Sequence, residues 1–166
     1  LDSLDDAATA IRDMHVRGAP LIGAAAAFGV ALALRHDPSD AMLRQADCTL
    51  RQTRPTAVNL HWALDRMLAT LAPLPTVVRS RAAWTEAEAI RCADLAANAA
   101  IGGHGLGLLR QLALSTHGPL QIMTHCNAGW LATCGHGTAL APIYAAHAAG
   151  LDVHVWVSET RPRNQG

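Results

Sequence analysis

The chain is predicted to be an α/β protein: a helical N-terminal domain over residues 1–116, then, over 117–166, the first βαβ unit of an open parallel sheet. Three observations predict it. Up to about residue 114, apolar residues recur at the three- and four-residue spacing of a helix face. At His117-Gly118-Pro119 that period stops. Beyond it, two short apolar runs, Leu120-Gln-Ile-Met123 and Val153-His-Val-Trp-Val157, flank a small-residue segment of helical character. A strand–helix–strand order of that length implies parallel pairing.

Each element follows from local chemistry. Asp2 or Ser3 suits the cap of a first helix to about His15, with Leu4, Ala7, Ala8 and Ile11 on one face. Pro20 fits the first turn of a second helix to about Arg35, where its missing amide costs nothing. Asp37-Pro-Ser-Asp40 breaks the chain and caps a third helix to about Thr53. Thr56 is the expected cap of a fourth, which ends before Pro73-Leu-Pro75. A long helical region from about Arg79 to Leu114 carries Trp84, Ile90 and Leu95, and Gly102-Gly103 with Gly105 are expected to kink or split it. Then come the first strand, a glycine-rich turn, a helix of about Thr138 to Ala149 stopped by Gly150, and the second strand. There is no internal repeat and no low-complexity segment.

Composition narrows the function. The chain is 51% hydrophobic and 16% charged, as a well-filled globular protein is. Thirteen basic and 13 acidic residues cancel, leaving no electrostatic footprint for nucleic acid or an anionic membrane. All the basic residues are arginine, so Schiff-base chemistry on lysine is closed to this segment. The longest apolar run, Pro20 to Leu34, falls short of the roughly 20 residues a membrane span needs and is rich in Ala and Gly. The polar, acidic start is no signal peptide. It lacks an initiator Met, and the other end stops on Arg161-Pro-Arg-Asn-Gln-Gly166, so a fragment at both ends is expected. Cys48, Cys92, Cys126 and Cys134 form no C-x-x-C pair, which favours reduced thiols in a cytoplasmic protein.

Open α/β sheets bind ligands beyond the carboxyl ends of their strands. Cys126 falls there, between His125 and Asn127, and Glu159 falls there after the second strand. A helix starting near Gly135-His-Gly-Thr138 would aim unpaired amides at the same crevice, favouring anions and thiolate. A free thiol has a pKa of about 8.5 and ionises by only a few per cent at neutral pH without such help. A buried structural cysteine is the alternative, and spacing alone leaves both open. No metal is expected: zinc ligands pair two to four residues apart, twice over, whereas His125, Cys126, Cys134 and His136 pair adjacently or one apart.

Two further segments carry guanidinium groups beside helix starts. In Val16-Arg-Gly-Ala-Pro-Leu-Ile-Gly23, small residues before Pro20 leave backbone amides accessible, and Arg17 offers a fork suited to phosphate oxygens. In Arg54-Pro-Thr-Ala-Val-Asn-Leu60, Arg54 is held extended before a proline. Either arginine alone reads equally as a solvated turn residue. Trp62, Trp84, Trp130 and Trp156 are expected as packing residues, and His36 and His61 as surface or satisfied core residues; no aromatic and basic interleaving for nucleic acid is present.

Together the four ordered motifs RGAP-x-IG, RPTAVNL-x-WALDRM, THCNAG-x-LAT-x-x-x-GTAL and ETRPRNQG run nearly the length of the chain. It thereby closely resembles the methylthioribose-1-phosphate isomerase family, of the initiation-factor-2B-like group. The resemblance implies a helical domain followed by a Rossmann-like domain, a homodimer when full length, a sugar-phosphate substrate, and no cofactor or metal. Onto this sequence it carries a catalytic role for Cys126 and substrate contacts at Arg17, Gly18, Ala19, Arg54 and Gln165, with His125, Asn127 and Gly129 in support. The implied reaction interconverts an aldose 1-phosphate and its ketose 1-phosphate in methionine salvage. Two relatives stand as alternatives: ribose-1,5-bisphosphate isomerases, and non-catalytic sugar-phosphate or nucleotide-sensing subunits of the initiation-factor-2B type, which share the fold but lack the HCNAG cysteine signature. The family's catalytic aspartate, in a GADR- or GTDR-like motif, lies beyond residue 166, so this segment alone is expected to be inactive. A local departure is Ser158, where the family usually has Asp.

Overall fold

The structure, a computed structural model, describes residues 1–162 of the chain. Five α-helices precede two parallel strands joined through a sixth, and the chain divides into two compact units, Leu1–Ala93 and Asp94–Gly166. That division falls inside the fifth helix, whereas the change from helical to strand-bearing chain stays at 117–120.

In the first unit, α1 (Leu4–Arg12) starts at Ser3, whose Oγ accepts the Asp6 amide at 3.1 Å. Ser39 does the same for α3 (Asp40–Arg51), accepting from Met42 at 3.2 Å. Between them runs α2 (Ala19–Leu34), apolar all round and buried along most of its length. Its small side chains let α1, α3 and α4 (Val58–Leu71) pack against it. Ile11, Leu34, Leu50, Leu60, Leu64, Met67 and Leu71 fill the space between, all fully buried.

Thr56 does not cap α4. The cap is Ala57, which has no side chain to offer, because its amide turns back to the Arg54 carbonyl at 3.0 Å and leaves Thr56 exposed inside a tight turn.

The other end of α4 is closed by a side chain from α5 (Thr76–Ala113). Arg79 is only 3% exposed. Its guanidinium donates to the carbonyls of Leu71 at 3.1 Å, Leu74 at 2.8 Å and Pro38 at 2.8 Å, and pairs with Asp40 at 2.8 Å. Five donors in a fixed fork meet several orphan carbonyls that a helix end would otherwise bury unpaired. Arg79→Met should therefore cost about 3 kcal/mol, through abandoned carbonyls rather than lost packing. Urea unfolding of the intact chain, followed by far-ultraviolet circular dichroism, would measure it.

The second unit holds the rest of α5, the strands β1 (Leu120–Thr124) and β2 (Val153–Val157), and α6 (Ala141–Ala148) between them. The strands pair in parallel, Leu120 with Val153 through Thr124 with Val157, as the sequence predicts. The α5 helix is not split at its glycines. Gly102 and Gly105 face α6, whereas Gly103 faces open space: a Cβ at Gly105 would stand 2.4 Å from the Pro142 ring, and one at Gly102 3.2 Å from the Ala141 carbonyl. Their use is close helix approach, not a break. Gly150, at φ 78, ends α6 by letting the Leu151 amide reach the Ala146 carbonyl and its own amide reach that of His147, each at 3.0 Å.

The four tryptophans, expected as packing residues, are half exposed, from 37% at Trp84 to 61% at Trp130. Each sets one edge or face against a neighbour and leaves the other wet: Trp84 tilts on Phe28, Trp62 lies under the Arg66 guanidinium, and the Trp156 indole donates to Gln121 at 2.8 Å.

Candidate active site

Cys126 stands two residues past the end of β1 and is exposed. Its φ of 68 lies in the left-handed region, which a side chain with a Cβ rarely adopts. The turn is tight: the Ala128 amide donates back to the Cys126 carbonyl at 3.1 Å. The reading of Cys126 as a buried core residue is thereby overturned.

The chain then folds onto itself. Gly137, at φ 64, lies so near Gly129 that a Cβ on it would be 2.2 Å from the Gly129 carbonyl. Thr138 Oγ1 donates to the Ala128 carbonyl at 3.4 Å, and the Thr133 hydroxyl to the Gly135 carbonyl at 3.0 Å. From α5, the Asp94 carboxylate accepts the Cys134 amide at 2.8 Å and ties the loop to the helix. The buried Asn98, one turn on, donates its amide to the Asp94 carbonyl at 2.9 Å.

This loop, the carboxyl ends of both strands and the first turns of α6 enclose a cleft of about 390 Å³. Cys126, Asn127 and Gly129 line it, along with Thr124 and Val157 at the strand ends. Its remaining wall is apolar, with Trp130 and Tyr144 prominent; their rings and that of His136 cluster at centroid distances of 5.3 to 6.4 Å. Among the described residues, no charged side chain lines it.

The helix start expected at 135–138 is not there. The α6 helix begins at Ala141, whose amide is engaged by the Gly137 and Thr138 carbonyls, and the next residue, Pro142, has no amide. The segment Gly135–Thr138 is instead consumed in folding the loop against Gly129. The amides of Gly135, on the Thr133 hydroxyl, and of Ala141 are thus taken within the loop.

His125 is exposed and does not line the cleft. Glu159 is exposed and pairs with Arg161. Gln165 lies outside the described residues. Among the described residues, no group of three or more His, Cys, Asp or Glu side chains is placed to hold a metal ion, and no helix is long and apolar enough to cross a membrane.

In the first unit, Gly18 takes φ 98 and starts α2 without a side-chain cap, so the first-turn amides of Ala19 and Leu21 have no side-chain partner. Arg17 is half-buried just before it. Arg54 is half-buried in the turn that starts α4. The two segments share one end of this unit: a Cβ on Gly23, about 6 Å along the axis from the start of α2, would touch the Asn59 carbonyl at 2.9 Å, in the first turn of α4.

Beside Arg54 runs a network that sequence reasoning missed. Arg51 Nε meets both Asp47 carboxylate oxygens at 2.9 Å, one terminal nitrogen pairs with Asp65, and the other lies 3.2 Å from His61 Nδ1. Hydrogen bonding to Asp47, then to Asp65, raises the guanidinium's pKa still further. The far nitrogen of His61 reaches the Pro55 carbonyl at 2.9 Å. Asp94 and this histidine carry no motif; only their partners reveal them.

Comparison with known proteins gives a consistent family. Residues 15–166 match the Initiation factor 2 subunit family. The methylthioribose-1-phosphate isomerase of Methylorubrum extorquens is 60% identical over 166 residues, all of this chain and 46% of the relative. That of Dechloromonas aromatica is 62% identical over 164 residues, 99% of this chain and 45% of the relative. The chain thus spans about half the length of the curated relatives it matches. Among solved structures, the delta subunit of translation initiation factor eIF-2B from A. fulgidus superposes with a TM-score of 0.84 at 35% identity, over 100% of this chain and 49% of that one. The 5-methylthioribose 1-phosphate isomerase from Pyrococcus horikoshii does so with 0.82 at 37% identity, over 99% and 46%.

Proposed function

The chain belongs to the Initiation factor 2 subunit family, and from that premise we propose that the protein isomerises methylthioribose 1-phosphate to its ketose 1-phosphate, a step of methionine salvage. The observation that carries this reading is the placement of Cys126. It is an exposed thiol in the left-handed region, lining an apolar cleft at the carboxyl ends of two parallel strands. Open parallel sheets put their chemistry in such crevices.

The reaction asks for little more than proton traffic and a firm grip. A proton leaves C2, the bond from C1 to the ring oxygen breaks, and the ring oxygen is protonated. C1 then takes up a proton while the C2 hydroxyl gives up its own and becomes a carbonyl. The phosphate stays on C1 throughout, so the site must hold it without helping it leave. A carboxylate supplied by chain beyond residue 166 carries the main share of this proton traffic, and Cys126 carries the second. Arg17, Arg54 and the amides at Gly18 and Ala19 hold the phosphate, fixing the sugar for repeated proton transfer at one pair of carbons. Gln165 supplies a further substrate contact. An apolar wall protects the enediol from water.

The same wall supports methylthioribose over ribose bisphosphate: a methylthio group suits the apolar lining formed by Trp130, Leu131, Leu140, Ile143 and Tyr144. The eIF-2B subunit superposes as well as the isomerase does, so fold alone does not separate enzyme from sensor; an exposed, conformationally strained thiol in a cleft favours the enzyme. In the same reading residues 117–166 are the start of a Rossmann-like domain, and the protein is a cytoplasmic homodimer.

The deciding measurement is a coupled isomerase assay of the intact protein with methylthioribose 1-phosphate and, separately, ribose 1,5-bisphosphate. Turnover of the first alone is expected. Turnover of only the second would reassign the substrate, and of neither would leave the sensor.

A further inference from the structure

The part of the cleft wall formed by Trp130 and Leu131 is held chiefly through its backbone. Trp130 is 61% exposed and Leu131 65%, so burial fixes neither. The Trp130 indole meets the rings of Tyr144 and of His136, the latter a residue of the same loop. Both wall residues lie in a single 3₁₀ turn, Trp130–Ala132. Two bonds wind it: the Ala132 amide donates to the Gly129 carbonyl at 3.0 Å, and the Thr133 amide to the Trp130 carbonyl at 3.5 Å. One such turn does not support itself, because so few bonds do not offset the backbone entropy that it fixes.

The turn therefore depends on what holds its two ends. Its start is Gly129, pressed against Gly137. Its end runs through the extended, buried Thr133 to Cys134, where the Asp94 carboxylate of α5 accepts the Cys134 amide at 2.8 Å. That amide shares a planar peptide unit with the Thr133 carbonyl, so the carboxylate orients the whole unit. A charged acceptor makes such a bond roughly twice as strong as a neutral one does.

Asp94 is itself steadied. Asn98, 2% exposed, donates its side-chain amide to the Asp94 carbonyl at 2.9 Å. Leu95 packs so near Gly135 that a Cβ there would stand 2.4 Å from its Cδ2. The bonds of Thr133 with Gly135 and of Thr138 with Ala128, by contrast, join loop residues only to one another. All these contacts lie within the second unit.

We propose that Asp94 is a positioning residue for the isomerisation: by holding the far end of the turn, it keeps Trp130 and Leu131 against the apolar end of the substrate. The inference rests on the isomerase reading of the cleft. Asp94 does not line the cleft and acts through Cys134 and the turn. The methylthio group that this wall suits is remote from C1 and C2, where bonds change, so its contacts are the same in ground and transition states. Loss of such uniform binding raises KM and leaves kcat.

Kinetics of the intact protein with methylthioribose 1-phosphate, paired with amide hydrogen exchange, test this. Asp94→Ala is expected to raise KM about tenfold, the low end for a lost hydrogen bond to a charged group, with kcat within about twofold of wild type. Exchange protection should fall at the Ala132 and Thr133 amides, whose own acceptors are untouched, and persist in both strands. Asp94→Asn, whose amide oxygen still accepts, should restore most of both properties. Asp94→Glu, which displaces the acceptor by one methylene, should fall between. A merely structural role has another signature: partial unfolding removes active molecules and lowers apparent kcat at constant KM. That result overturns the inference. So does wild-type KM in Asp94→Ala or Asp94→Glu, unchanged protection at Ala132 and Thr133, or an asparagine variant no better than alanine. The isomerase reading survives each of these, because wild type still turns over. Wild type that does not convert methylthioribose 1-phosphate ends that reading and this inference together.

Discussion

Cys126→Ala in the intact protein is expected to lower kcat about a thousandfold, the middle of the range that a positioned proton-transfer group supplies. KM for the sugar phosphate should change little, because the phosphate ligands are elsewhere in sequence and untouched. Folding should survive: the thiol is exposed, and no packed side chain loses a partner of any size. Cys126→Gly separates chemistry from architecture more sharply. At φ 68 the native residue is held where a Cβ is unwelcome, so removing it should relieve about 1 kcal/mol of strain. The glycine variant should therefore melt higher than wild type while turning over as poorly as the alanine variant. Differential scanning calorimetry and the coupled assay measure the two halves. A glycine variant with native turnover would remove Cys126 from the mechanism.

Gly137→Ala is expected to be the most damaging single methyl that the site can receive. Two penalties add. One is the left-handed backbone at φ 64, about 1 kcal/mol for alanine. The other is contact at 2.2 Å with the Gly129 carbonyl, backbone against backbone, where no side chain can swing aside. The loop must open for the methyl to fit, and opening it undoes the fold that places Asn127, Gly129 and Trp130 around the cleft. A loss above about 4 kcal/mol for this loop follows, enough to melt it locally. Hydrogen exchange would show it as lost protection at Ala132 and Cys134, with the strand amides and the first unit unaffected. Protection as in wild type would mean that the Gly129–Gly137 approach is not tight in solution.

What was legible in the sequence sorts by range. Caps at Ser3 and Ser39, the proline at the start of α2 and the strand Val153–Val157 need only neighbouring residues, and the structure places them as the sequence predicts. Thr56 apart, where a local turn took the cap, the errors were cases in which a distant partner decided. Gly102 and Gly105 look like helix breakers until α6 is packed against them. Gly135–Thr138 looks like a helix start until Gly129 claims Gly137. The candidate site divides in the same way. Its motif residues were named from the resemblance to a known family, and the structure brings Cys126, Asn127 and Gly129 of them to one cleft. Arg51, His61 and Asp94 could not be named in advance, because a residue that steadies another betrays itself only through contact.

The turn after α6 has a consequence for everything downstream of it. Gly150 does not merely stop a helix; it meters chain. By returning the Leu151 amide to Ala146, it decides that Val153 and no neighbour stands opposite Leu120, and five paired residues later the count still holds, with the Ser158 amide on the Thr124 carbonyl at 3.1 Å. One residue more or fewer in that span would invert β2, turning Val155 and Val157 out of the cleft wall and rotating Glu159 and its successors half a revolution. The spacing from glycine to strand end is thus a calibrated length, and indels there would miswrite the site without touching any residue in it.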